Sequence, residues 1–112
     1  MTPEEVRSIA LNFEEATEQP HFEKTSFRVR KKIFATMDMT KNQVVIKLSE
    51  ADQDVFCSHD QSVIFPVPGA WGNKGWTAIK LDKVHPDLFK DAITMSYCGV
   101  APKKLAAFYT NQ

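Results

Sequence analysis

Apolar and polar residues alternate through three consecutive segments between Ser26 and Leu48. The alternating apolar positions are Phe27 and Val29, then Ile33, Ala35, Met37 and Met39, then Val44, Ile46 and Leu48. A period of two is typical of β-strands that bury one face. Polar breaks at 30–32 and 40–42 predict two turns, and the second contains Asn42, a residue that tolerates a positive φ. The stretch therefore predicts a three-stranded meander with one apolar face.

Helix signals stand on both sides of this meander. Thr2 is a good N-cap, Pro3 fits the first helical position, and Glu5 follows the cap by three residues, as in a capping box. A longer helix is predicted over 86–97, with Gly99 placed to end it. Shorter helices are predicted after Ser49 and from Pro102. Two of these elements, the first helix and that over 86–97, are long enough to cover a sheet.

Three further segments complete the prediction. Residues 14–22 contain Pro20, which lacks a backbone donor, so they predict an irregular or edge strand. Residues 62–65 predict a strand that the following prolines confine to an edge, and 76–81 alternate like a strand. Residues 69–75 hold three glycines and an asparagine and predict a mobile loop.

These elements predict an α+β fold. Residues 26–48 leave no room for a helix between strands, which excludes a doubly wound parallel sheet. We expect an antiparallel sheet of about five strands with helices packed on one face, in a single domain spanning residues 1–112. The opposite face is then predicted to carry Arg28, Arg30, Phe34, Thr36, Val45 and Lys47.

Charge is segregated along the chain although its formal sum is zero. Residues 1–23 sum to −5, residues 24–47 to +6, residues 48–69 to −4 and residues 70–112 to +3. A zero total argues against a protein that coats nucleic acid through general basicity. The basic sheet region between acidic segments indicates a local anion-binding surface, or else charges that merely face solvent.

Catalytic and metal-binding signatures are missing from the sequence. It contains no GxSxG, no phosphate-binding loop and no GxGxxG after a strand, so we expect no enzyme activity and no cofactor. Cys57 and His59 are poorly spaced for a nucleophile and its base, and His21 and His85 have no partner at a metal-ligand spacing. Two isolated cysteines, an acidic N-terminal segment and no long apolar run predict a cytoplasmic protein without a membrane span.

Basic and aromatic side chains offer the most suggestive pattern. Arg28, Arg30, Lys31 and Lys32 lie in and after the first strand of the meander, and Lys74 lies in the glycine-rich loop. Such groups contact phosphates, while rings such as Phe34, Trp71 or Trp76 stack on bases. Core packing is the alternative role of these rings.

Together, these segments resemble the MmcQ/YjbR family. The residues that carry the resemblance are Phe27, Val29, Lys32, Ile33, Phe34, Ala35, Lys47, Gly75, Trp76, Ser96 and Tyr97. The family often has glycine before its lysine, whereas Lys31 stands there in this chain. The resemblance implies an α+β fold akin to type III secretion chaperones, with a double-wing DNA-binding motif. The wings would correspond to hairpins around 30–32 and 69–75, and no enzyme activity or cofactor is implied.

Three hypotheses follow. The first is a non-enzymatic DNA-binding protein that contacts phosphates through Arg28, Arg30, Lys31, Lys32 and Lys74. The second is a protein-interaction or chaperone-like module that offers the uncovered sheet face, with Phe34 and Val45, to a partner or to its own copy. The third is a small-molecule site under the 69–75 loop, roofed by Trp71 and Trp76.

Overall fold

All strands within residues 1–110, the part of the chain that the structure describes, form one antiparallel sheet in this computed structural model. The strands are β1 (Ala16–His21), β2 (Lys24–Val29), β3 (Lys32–Asp38), β4 (Gln43–Lys47), β5 (Ile64–Pro66) and β6 (Trp76–Lys80). The helices are α1 (Pro3–Leu11), α2 (Glu50–Cys57), α3 (Ala70–Asn73), α4 (Pro86–Val100) and α5 (Lys103–Ala106). The predicted α+β class is confirmed.

The spatial order of the strands is β1-β2-β3-β4-β6-β5, so β6 lies between β4 and β5. The predicted meander is confirmed as β2, β3 and β4. The sheet has six strands where about five were predicted, because the proline-containing segment 16–21 pairs fully with β2. Pro20 is tolerated there because β1 is an edge strand, and β5 with Pro66 forms the other edge.

One continuous core lies between the sheet and four helices. It includes Val6 of α1, Phe56 of α2, Phe89 of α4 and Leu105 of α5, packed on apolar strand residues such as Ile46. Helices therefore cover one face of the sheet, as predicted. The opposite, outer face carries the alternate strand positions, most of which are half-buried and all of which lie outside this core.

Phe34 corrects the predicted alternation of β3. Phe27 pairs with Ala35 while Arg28 pairs with Ile33, so Phe34 is an extra residue without a partner on β2. A one-residue bulge of this kind reorients the side chains around it. Phe34 is fully buried in the core, with its ring centroid 5.4 Å from that of Tyr97. It is therefore absent from the outer face, where the alternation had placed it.

The hydroxyl of Ser96 joins β3 and β4 beside this bulge. It donates to the backbone oxygen of Phe34 at 2.6 Å and accepts from the backbone N–H of Lys47 at 3.1 Å. Ser96 is fully buried, so both backbone groups would otherwise lack a partner away from water. A side chain of α4 thus replaces a backbone ladder bond that the bulge removes.

Helix ends follow the predicted caps with one exception. The Thr2 and Glu5 capping box is formed, and the His85 side chain accepts from the N–H of Asp87 at the start of α4. Gly99 does not end α4, which continues to Val100. The following Ala101 is extended at φ −72° and ψ 155°, because a residue that precedes proline avoids the helical region.

Candidate nucleic-acid interface

The predicted phosphate-binding residues lie toward one end of the sheet. The β2–β3 turn holds Arg30 and Lys31, Lys32 begins β3, and Lys74 immediately precedes Gly75 and β6. Lys47, at the end of β4, pairs with Trp76 at the start of β6, so this end of β4 adjoins the 69–75 segment. Two to three strand spacings, about 12 Å, separate the turn from β6. We call this region the basic end, which comprises Arg28, Arg30, Lys31, Lys32, Lys47 and Lys74.

The β2–β3 turn has an unfavourable backbone for its residues. Val29 pairs with Lys32, and both intervening residues are left-handed, with φ 51° at Arg30 and 71° at Lys31. Positive φ at both central positions is the type I′ pattern, which favours asparagine and glycine. Left-handed backbone costs a non-glycine residue about 1–2 kcal/mol. The long cationic side chains of Arg30 and Lys31 therefore occupy two positions where glycine would be more stable.

Arg30 is already paired within the protein. Its Nε and Nη2 donate to the two carboxylate oxygens of Glu15 at 2.5 and 3.0 Å. This guanidinium lowers the pKa of Glu15 below its ordinary 4.5, so the pair is intact at neutral pH and opens only as the pH falls below that value. Arg30 is thus the one predicted cation with a fixed carboxylate partner among residues 1–110.

Two tyrosines fix the chain next to Glu15. The hydroxyl of Tyr97 donates to the backbone oxygen of Glu14 at 2.6 Å, and the backbone N–H of Glu14 donates to the hydroxyl of Tyr109 at 2.7 Å. Burial raises the pKa of Tyr97 to about 12, so its hydroxyl remains a donor at neutral pH. The position of Glu15 is therefore set by the core.

The other predicted cations are less constrained. Arg28 lies on the outer face, half-buried, and its Nε donates to the hydroxyl of Ser26 at 2.9 Å. Lys31, Lys32 and Lys74 are exposed. Within residues 1–110, none of these four side chains forms an ion pair with a carboxylate. Lys41 lies in the β3–β4 turn, at the opposite end of the sheet.

The glycine-rich segment is a short helix where a mobile loop was predicted. A Cβ at Gly72 would lie 2.0 Å from the backbone oxygen of Val67, and one at Gly75 would lie 2.0 Å from that of Leu48. The buried amide of Gln53 also donates to the backbone oxygen of Gly72 at 3.0 Å. These direct backbone contacts anchor the segment, which connects the antiparallel strands β5 and β6.

Both tryptophans lie at the basic end. Trp71 is 61% exposed, and its ring centroid is 6.4 Å from that of the half-buried Trp76, at an interplanar angle of 71°. The ammonium of Lys74 lies 5.4 Å from the Trp71 ring centroid, and that of Lys47 lies 5.7 Å from Trp76. We call these four residues the indole–lysine cluster. Trp71 is therefore not a core residue, a point that the sequence had left open.

The structure of residues 1–110 also bears on a thiol nucleophile, on a metal site and on a membrane span. Burial raises the pKa of the Cys57 thiol, which opposes formation of the thiolate that a nucleophile requires. No three His, Cys, Asp or Glu side chains there are grouped in a way that could hold a metal ion. In the same part of the chain, no helix is long and apolar enough to cross a bilayer.

The chain is similar to one protein family in sequence and to a solved structure in fold. The family model described as YjbR matches residues 11–98. The crystal structure of protein DR2400 of Deinococcus radiodurans, with a domain described as DUF419, is similar with a TM-score of 0.77 and 20% identity. The alignment covers 88% of this chain and 78% of that chain. At this identity the similarity shows a shared fold alone. A search among curated proteins found no match.

Proposed function

The chain belongs to the YjbR family, and from this fold and its charge distribution we propose that it is a non-enzymatic DNA-binding protein. The phosphates are contacted by the basic end, chiefly by Arg28, Lys31, Lys32 and Lys74. Arg30 contributes only when its pair with Glu15 opens. Phosphate contacts of this kind hold a protein on nucleic acid without selecting a sequence.

The turn between β2 and β3 carries the proposal. Lys31 and Lys32 are adjacent, exposed and without an ion pair to a carboxylate in the described chain. Two like charges on adjacent residues repel each other, and the left-handed backbone of Lys31 adds strain. An arrangement that is unfavourable in the free protein is expected where a ligand of opposite charge compensates for it.

The dependence of affinity on salt measures the number of phosphate contacts. Four uncommitted cations on duplex DNA give a slope of roughly −3 to −4 for log K against log salt. We expect Lys31→Glu together with Lys32→Glu to weaken binding at low salt by about tenfold or more, with a visibly flatter slope. Fluorescence anisotropy with a labelled duplex of mixed sequence, at several salt concentrations, measures both quantities.

Charge and fold are controlled separately in this experiment. Lys41→Glu with Lys90→Glu changes the net charge equally at two exposed positions away from the basic end and should reduce binding less. Lys31→Gly removes one charge at a position where glycine relieves left-handed strain, so it should fold at least as stably as the parent. Unchanged affinity in the folded Lys31→Glu, Lys32→Glu protein would reject the proposal.

Glu15 acts in this proposal as an internal competitor of the phosphates. Glu15→Gln removes the carboxylate that holds Arg30, so we expect a severalfold higher affinity and a salt slope that is steeper by roughly 0.9. Glu14→Gln changes the same charge one residue away, where the side chain has no ion pair in the described chain. Equal effects of the two variants in the same titration would show that only net charge matters.

A protein-interaction module is the second candidate. Phe34, which motivated it, is buried, but Val45, Phe65 and Trp76 are half-exposed on the outer face, and Trp71 is largely exposed. Apolar surface of this kind often marks a protein contact. Sedimentation velocity across a wide concentration range tests self-association. A monomer at every concentration would remove the version in which the partner is a second copy.

A further inference from the structure

The indole–lysine cluster contains features that phosphate binding by the β2–β3 turn does not use. It comprises Lys47, Trp71, Lys74 and Trp76, and Trp71 leaves 61% of its surface exposed. Burial of a tryptophan side chain is a large source of stabilisation in a core. Core packing therefore does not explain an exposed indole beside a second indole. The ammonium groups of the two lysines place positive charge next to both rings.

The position of Trp71 is fixed before any ligand arrives. Its neighbour Gly72 packs directly on the backbone of Val67 and accepts from the buried amide of Gln53. Trp76 contacts the Trp71 ring from the sheet, and Trp76 itself is held in the register of β6 with β4. A preformed aromatic surface loses little conformational entropy when a planar ligand stacks on it.

The cluster also continues onto the outer face of the sheet. Phe65 pairs with Ala78, which lies two residues after Trp76 on the same face, so the Phe65 and Trp76 rings are diagonal neighbours on adjoining strands. Lys47 stands beside Trp76 on the other side. Proteins that bind single-stranded nucleic acids often present rings flanked by cations on a sheet face. The bases stack on the rings and the phosphates contact the cations.

We propose that the indole–lysine cluster binds single-stranded nucleic acid, with an unpaired base stacked on Trp71 and phosphates neutralised by Lys74 and Lys47. This proposal rests on the proposed function and specifies its ligand. The faces of bases in a duplex are covered by neighbouring base pairs, so Trp71 could reach them only by wedging between steps. Free base faces in a single strand meet the exposed indole directly, and the cluster should therefore favour single strands over duplex.

The two tryptophans make this site observable without a label. The chain contains two tryptophans and both lie in the cluster, so a stacked base should quench the intrinsic emission. A dT oligomer of roughly 12 nucleotides is titrated in parallel with a duplex of equal length. We expect quenching by the single strand and at least about tenfold tighter binding of the single strand than of the duplex.

Trp71→Ala tests the stacking contact. Loss of one stacked base should weaken single-strand binding by about 5- to 100-fold, while duplex binding changes by less than about twofold. Anisotropy with a labelled single strand and a labelled duplex measures both affinities. A label is needed because the loss of Trp71 changes the intrinsic emission of the protein. Phe22→Asn is the matched control, because Phe22 is 94% exposed in the β1–β2 turn at the opposite end and has φ 59°, which asparagine tolerates.

Each outcome decides between the two proposals. Equal binding of single strand and duplex, with no effect of Trp71→Ala, overturns the stacking site. If Lys31→Glu with Lys32→Glu still weakens binding in that case, the proposed DNA-binding function stands. Self-association that depends on Trp71, without quenching by the oligomer, overturns the stacking site as well and assigns the cluster to contacts between copies of the chain.

Discussion

Replacement of Gly75 by alanine is expected to lower the free energy of unfolding by about 4 kcal/mol or more. The new Cβ would lie 2.0 Å from the backbone oxygen of Leu48, and φ at Gly75 is 101°. The same backbones also share a hydrogen bond, since the N–H of Leu48 donates to the oxygen of Gly75 at 2.9 Å. The clash can be relieved only by moving main chain, which would break this bond and shift α3.

Urea denaturation followed by circular dichroism measures this loss. Gly99→Ala is the matched control, because a Cβ at Gly99 meets no atom within 4 Å and the residue lies inside α4. That variant should gain up to about 1 kcal/mol from the higher helix propensity of alanine. A decrease of less than about 1 kcal/mol for Gly75→Ala would contradict the close contact with Leu48.

Removal of the Ser96 hydroxyl is the second large effect. Ser96→Ala should lower the free energy of unfolding by about 2–4 kcal/mol, because a buried donor and a buried acceptor each lose their partner. These are the N–H of Lys47 and the oxygen of Phe34. Faster hydrogen exchange at the Lys47 amide than elsewhere in β4 should accompany the loss of stability.

Ser58→Ala provides the reference for Ser96. The Ser58 hydroxyl also donates to a backbone oxygen, that of Val55 at 2.7 Å, but it is exposed to water. Water can replace that bond, so a change below about 1 kcal/mol is expected. Similar losses for the two variants would mean that the bridge between β3 and β4 adds nothing beyond an ordinary exposed hydrogen bond.

Local patterns predicted the parts of the fold that depend on local interactions. Alternation located β2, β3 and β4, and the spacing of Thr2 and Glu5 located the start of α1. The bulge could not be predicted, because Phe34 fits the period of two equally well on either face. Packing in the core decides its direction, through the rings of Phe13, which follows α1, and of Tyr97 in α4.

The sequence indicated which residues to consider for the candidate site better than it indicated how they are arranged in space. Adjacent charges identified Lys31 and Lys32, and turn spacing placed them at a hairpin tip. The pair of Arg30 with Glu15 depends on a contact across the β1–β2 edge of the sheet, which charge counting along the chain does not show. The exposure of Trp71 depends on how Gly72 docks, so a glycine-rich pattern predicted a mobile loop instead.

The two edges of the sheet limit how copies of this protein can associate. Pro20 lacks a donor within β1, and Glu18 on the same strand forms a charged pair with Arg7, at 2.8 Å, which keeps that edge polar. β5 is three residues long and ends at Pro66. Short, proline-containing and charged edges resist the addition of a further strand. The sheet is thus protected against growth into larger β-aggregates, and any assembly must use side-chain surfaces.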